Sequence, residues 1–133
     1  VIERVVISLA WTPPPKLSPN AGAHWATKNK LRKEGRDAAI NAARQWRNDR
    51  GLFGTDPVVT AKARIFVTIR WGKGRRFMDA DNAVACLKGP VDGLTQAGII
   101  PDDSPAYLVW EPVEQKRDPT GRGETVIVIE EMP

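Results

Sequence analysis

Asp79 and Asp81 are separated by one alanine and followed by Asn82, and a second acidic pair, Asp102–Asp103, lies further along the chain. An extended backbone puts residues i and i+2 on one side, whereas a helix does not, so Asp79 and Asp81 are expected to face the same way. Closely placed carboxylates repel unless a hard cation with a preference for oxygen lies between them. A cation held there can polarise a scissile phosphate, activate water and stabilise the leaving oxygen. Lys88 adds a fixed positive group between the two acidic clusters in the sequence. The same residues also have plain structural uses. Asp81 or Asn82 can cap a helix, Asp102 and Asp103 suit a turn, and Lys88 suits an exposed surface.

Several elements must position these side chains. Residues 3 to 11 read as a strand with Val5, Ile7 and Leu9 on one face, ended by Pro13 to Pro15. A Pro-, Ser-, Asn- and Gly-rich loop, Lys16 to Trp25, follows. From about Thr27, the expected cap, to Trp46, the positions Leu31, Ala38, Ala39, Ala42, Ala43 and Trp46 form an apolar helical stripe. Arg50 to Pro57 break the pattern. Val59 to Trp71 alternate over the longest strand signal, and Gly72 to Arg76 turn the chain into the first acidic pair. Ala83 to Leu87 predict a short helix. A second helical segment follows, with Pro90 in its first turn, Asp92 near its positive end and Gly98 as a left-handed terminator. Strands are expected at Ala106 to Val113 and Thr125 to Ile129, joined by a turn over Lys116 to Gly123. This order predicts an α+β fold, a small mixed β-sheet packed with helices, over residues 1–133 as a single domain.

Charge narrows the partner. Residues 1 to 50 carry ten basic and four acidic side chains, residues 51 to 100 seven and four, and residues 101 to 133 three and eight. The upstream excess suits a polyanion, since each neutralised phosphate releases condensed counterions. Lys28, Lys30, Arg32, Lys33, Arg36, Arg44 and Arg47 can share a positive helix surface, and Arg70, Lys73, Arg75 and Arg76 lead into the acidic turn, where phosphate contacts are expected. Cys86 is the only cysteine, which excludes an internal disulfide or a multi-cysteine zinc site and favours an intracellular, cytoplasmic setting. Its apolar neighbours point to the core rather than to a catalytic thiol. His24, the only histidine, is a general base only if the fold brings it to the attacking water. Phe77 is expected in the core. No run is long enough to span a membrane, and the opening residues lack the pattern of a secretion signal.

Asp79-Ala80-Asp81-Asn82, the stretch through Leu87-Lys88, and Asp92-Gly93-Leu94-Thr95-Gln96-Ala97-Gly98-Ile99-Ile100-Pro101-Asp102-Asp103 together resemble the RusA family of Holliday junction resolvases, found in bacteria and their phages. The likeness runs over nearly the whole chain, from the opening strand with Pro13, Pro14 and Asn20 to the closing Glu124 to Met132 strand. It implies a RusA-like two-layer fold and a homodimer that binds four-way DNA junctions and makes paired nicks with magnesium or manganese. It further implies that Asp79 and Asp81 are metal-binding acids, that Asp103 is the third catalytic acid with Asp102 as a neighbouring ligand, and that Lys88 is the active-site lysine. Lys88 matches when counted back from Asp103. Counted forward from Asp81 the chain carries about three extra residues, close to one helical turn, which keeps Lys88 facing the same way. A protein that keeps the fold and binds branched DNA without cutting it is the alternative.

Overall fold

The alternation of Val5, Ile7 and Leu9 is that of a strand with one buried face. In the computed structural model, which describes residues 4–133, these three side chains are buried along β1 (Arg4–Leu9) while Arg4, Val6 and Ser8 face outward. Glu3, where the expected strand starts, lies outside the described residues. The other long strands are β2 (Ala63–Trp71) and β5 (Glu124–Glu131), and β5 lies between β1 and β2, antiparallel to both. Two short strands, β3 (Leu108–Trp110) and β4 (Glu114–Arg117), run parallel to β2 on its other edge, one beside each half of it. They divide at Glu111–Val113, where Pro112 has no N–H to contribute to the ladder. The expected turn over Lys116 to Gly123 is therefore shorter, because Lys116 and Arg117 belong to β4.

The strand expected from Val59 starts only at Ala63. Val59 is buried as its alternation requires, but the backbone N–H groups of Val58 and Val59 donate to the carbonyls of Gly98 and Ile99 at 3.1 and 3.0 Å rather than to a neighbouring strand. Arg47 reinforces that junction. It reads from sequence as part of a positive surface, yet it is only 4% exposed, and its guanidinium donates to the carbonyls of Leu52, Asp56 and Gly98. A buried charge that satisfies three carbonyls is a tie, not a docking group.

Helix α1 (Trp25–Asp49) starts before Thr27, because His24 rather than Thr27 caps it: Ala26 N–H donates to His24 Nδ1 at 3.1 Å. Its small residues Gly35, Ala39 and Ala43 are buried, as is Trp46. Helix α2 (Ala80–Cys86) ends four residues before Pro90, whose ring conflicts with a helical carbonyl at that distance, and α3 (Lys88–Gln96) begins after Leu87. Backbone contact between α1 and α3 explains the glycines of α3. A Cβ at Gly89 would lie 2.6 Å from the Arg32 carbonyl oxygen, and one at Gly93 would lie 2.5 Å from that of Arg36. Gly98, at φ 76°, ends the helix as expected, with Ile99 N–H returning to the Leu94 carbonyl.

The helices and the inner sheet face share one apolar cluster, from Val5 and Trp71 to Ala83, Leu94 and Ile129. The result is a small α+β arrangement, a mixed sheet packed against helices. The other sheet face is open, with Val6 and Phe66 exposed on it.

Candidate functional site

Strand β2 carries its chain to the rim of the sheet, and Gly72–Asp79 forms an irregular loop before α2. Asp79 is the N-cap residue of α2, with extended backbone at φ −59° and ψ 147°, and its side chain makes no capping hydrogen bond. Asp81 lies in the first helical turn. The acidic pair is therefore not held on one extended segment, as its spacing suggests, but straddles the transition from extended to helical backbone. The helix also starts earlier than the expected Ala83, with Asp79 rather than Asp81 or Asn82 at its cap. Both aspartates are exposed, and no ion pair among the described residues includes either of them.

The second acidic group lies beyond the Gly98 reversal. Asp102 is exposed and accepts the Asp103 N–H at 2.8 Å. Hydrogen bonds from Ser104 and this backbone contact hold its carboxyl below the usual range. Asp103 behaves oppositely. Desolvation pushes its carboxyl up, and hydrogen bonding and repulsion from the Asp92 carboxyl add to the shift, followed by Asp102. Asp92 reads from sequence as a helix-dipole residue, but the first turn of α3 contains no acid, and Asp92 instead faces Asp103. Sequence pattern missed this pairing; the signal for it was the left-handed Gly98, which folds the chain back toward α3.

Among the described residues, no group of three or more His, Cys, Asp or Glu side chains is placed to hold a metal ion. The acids thus form two separate pairs, Asp79 with Asp81 in sequence and Asp92 with Asp103 in space. Lys88, the first residue of α3, is exposed and enters no ion pair among the described residues.

The basic residues divide by their surroundings. Lys30, Arg32 and Lys33 are exposed on α1, and Arg36 is partly buried near Asp37. Lys28 donates to the Ser18 carbonyl at 3.2 Å. Lys28 and Arg32 are close enough to Cys86 for their charges to act on its thiol, although burial outweighs them. Lys73 and Arg76 are exposed on the loop and line an open concavity of about 580 Å³ shared with Arg117 and Asp118. Arg75 is committed elsewhere. It donates to the Pro13 carbonyl at 2.5 Å and lies 4.8 Å from the Trp71 ring centroid, and burial lowers its pKa. Arg70 lies on the open sheet face, 3.7 Å from Glu124.

Three other residues complete the surroundings. Phe77 is 49% exposed beneath the Arg117 guanidinium, which corrects its expected core position. Cys86 is buried, and burial pushes its thiol up to about 11, as a core cysteine requires. His24 spends Nδ1 on its cap, leaving only Nε2 outward for any proton transfer. Sequence reasoning also overlooked Gln115 and Arg117. Both lie on β4, a strand read partly as a turn, and both hold the loop that precedes the acids.

Comparison with known proteins finds no matching family model and no matching curated protein. No helix among the described residues is long and apolar enough to cross a membrane.

Proposed function

We propose that this chain is a magnesium-dependent endonuclease of the RusA type, which resolves four-way junctions or related branched DNA by paired phosphodiester hydrolysis. The observation that carries the reading is the pair Asp79 and Asp81, exposed and without an ion pair among the described residues, where a basic loop meets the start of α2. Both offer hard oxygen donors. Magnesium takes one or two carboxylates together with substrate phosphate oxygens and waters, so a closed cage of three protein carboxylates is not required before DNA arrives. Manganese suits the same donors. Asp103, with Asp102 beside it, would be a further oxygen donor to a bound ion in this reading. When bound, the ion supplies polarisation of the scissile phosphate and activation of water.

The chain's own residues account for the remaining steps. Lys73 and Arg76 bind the backbone on the loop side, and Lys28, Lys30, Arg32, Lys33 and Arg36 extend that contact along α1. Lys88 offsets charge that develops on the phosphate. Arg75 supports the loop by fastening it to Pro13, and Arg70 offers a contact from the open face of the sheet. A homodimer belongs to this reading, because a two-fold protein presents matching sites to opposed strands of a near two-fold junction.

A labelled synthetic four-way junction, incubated with magnesium and either the natural protein or Asp81→Asn, tests the proposal against linear duplex at the same salt. Symmetric nicks near the branch point from the natural protein, lost in the variant, are expected. Tight binding of the junction without nicking across several divalent ions would instead identify a noncatalytic branched-DNA-binding protein.

A further inference from the structure

The loop that delivers Asp79 and Asp81 has no repetitive hydrogen bonding of its own, so something else must fix its path. That support comes from β4. In register, Gln115 lies beside Ile69 and Arg117 beside Trp71, on the sheet face that the helices cover. Arg117 donates to the carbonyls of Gly72 and Arg75, at the start and middle of the loop. Gln115 grips its end. Met78 N–H donates to Gln115 Oε1 at 2.8 Å, Gln115 Nε2 donates to the Met78 carbonyl at 2.7 Å, and the Trp71 indole N–H donates to the same Oε1 at 2.8 Å.

A primary amide presents an acceptor and a donor side by side, so it can accept from and donate to one residue's backbone as a neighbouring strand would. The amide can take only one orientation here. Two N–H donors converge on Oε1, so exchanging its oxygen and nitrogen would set an NH2 group against both of them. Met78 is fixed at its side chain too, with its sulfur 3.9 Å from Cys86 Sγ. Asp79 is the next residue. The backbone angles that aim the acidic pair therefore start from a residue held on both its N–H and its carbonyl.

We infer that Gln115 is the positioning residue of the acidic turn: by clamping the Met78 backbone it sets the geometry in which Asp79 and Asp81 meet a divalent cation. This rests on the metal-site reading proposed above. Gln115 touches neither DNA nor ion in this role. Outer partners that orient metal ligands typically change affinity by about 10- to 100-fold when removed, because ligand geometry must be kept within about 0.5 Å.

Manganese titration of the whole protein, followed by the paramagnetic resonance of the free ion, tests the inference without DNA or turnover. Gln115→Met keeps the length of the side chain and removes all three hydrogen bonds; it is expected to weaken manganese binding by about 10- to 100-fold. Gln115→Glu keeps the two acceptor bonds and should recover part of that loss. Glu114→Gln, on the opposite face of β4, should bind as the natural protein does. Equal affinity in Gln115→Met and the natural protein would overturn the inference and leave the acidic site standing. Equal affinity in Asp81→Asn and the natural protein, or no binding by either, would remove the site itself and the inference with it. Should the substitutions unfold the chain, amide exchange in the natural protein decides: a Met78 N–H clearly slower than that of Phe77 is expected, and equal rates would overturn the clamp.

Discussion

The two acidic regions of this molecule have the same composition and opposite circumstances. At the start of α2, Asp79 and Asp81 are exposed, the cap residue makes no side-chain cap, and the preceding peptide is gripped by Gln115. Beyond α3, Asp102 and Asp103 form a bend that supplies its own hydrogen bonds, while burial, and after it the neighbouring Asp92 carboxyl, raises the pKa of Asp103. One pair is exposed on a backbone held from outside. In the other, desolvation and the Asp92 carboxyl together disfavour the charged form of Asp103. Carboxylates kept near one another without basic partners cost stability, and such costs are typical where function rather than folding selects the residue.

The sharpest way to break this contrast is to neutralise one acid in each region. Asp81→Asn should lower nicking by more than about a hundredfold, since loss of an inner ligand exceeds the roughly 10- to 100-fold cost of losing an outer one. Asp102→Asn, in a residue already satisfied by Ser104 and its own backbone contact, should cost less than about tenfold. Equal losses measured under single turnover would erase the distinction.

A smaller effect is expected on stability. Asp103→Asn should raise the free energy of unfolding at neutral pH by about 0.2–1 kcal/mol, the scale of a surface charge interaction, while lowering cleavage. Asp81 is exposed in the first turn of α2, and Asp81→Asn should leave stability nearly unchanged. The pH dependence follows from the direction of the shift. The folded carboxyl of Asp103 holds its proton to higher pH than the unfolded one, so its contribution is present below the ordinary carboxylate range and is lost as pH rises through the folded value. Equilibrium unfolding between pH 3 and 7, scales on which carboxylates titrate at about 4, should therefore favour the Asn variant increasingly toward neutrality. A constant difference would contradict the crowded pair.

The smallest effect concerns the helix between the two regions. Cys86 keeps its proton up to about 11, against an ordinary value of 9.0, so its stabilising contribution is complete below 9.0 and is lost as pH rises toward the higher value. Its alkylation at pH 8 should be slow until denaturant is added. Rapid labelling of the native protein would mean that α2 opens readily, and that Asp79 and Asp81 stand on a mobile support.

Much of this arrangement was legible in the residues, for identifiable reasons. Period-two burial at Val5, Ile7 and Leu9, and again along Ile65, Val67 and Ile69, needs only one covered sheet face. Gly98 announces its left-handed turn because other residues are strained there. Other features depend on partners distant in sequence. Nothing local distinguishes Arg47, buried among three carbonyls, from the exposed bases of the same helix, and Val58 and Val59 leave the strand pattern because the exit of α3 takes their hydrogen bonds. Asp92 and Asp103 meet only through the reversal between them. Gln115 reads as an ordinary polar residue until Trp71 and Met78 are brought beside it. The type and order of the acids could be read directly, but their division into a gripped pair and a crowded pair required the fold.

The central claim is that Asp79 and Asp81 bind the ion that acts on DNA, and the position of that ion tests it most directly. In crystals of the protein with manganese and a four-way junction made resistant to hydrolysis, anomalous scattering should locate the ion within about 2–2.5 Å of carboxylate oxygens from both residues and of a phosphate oxygen. An ion held between Asp92 and Asp103 alone, with Asp79 and Asp81 facing solvent, would contradict the account.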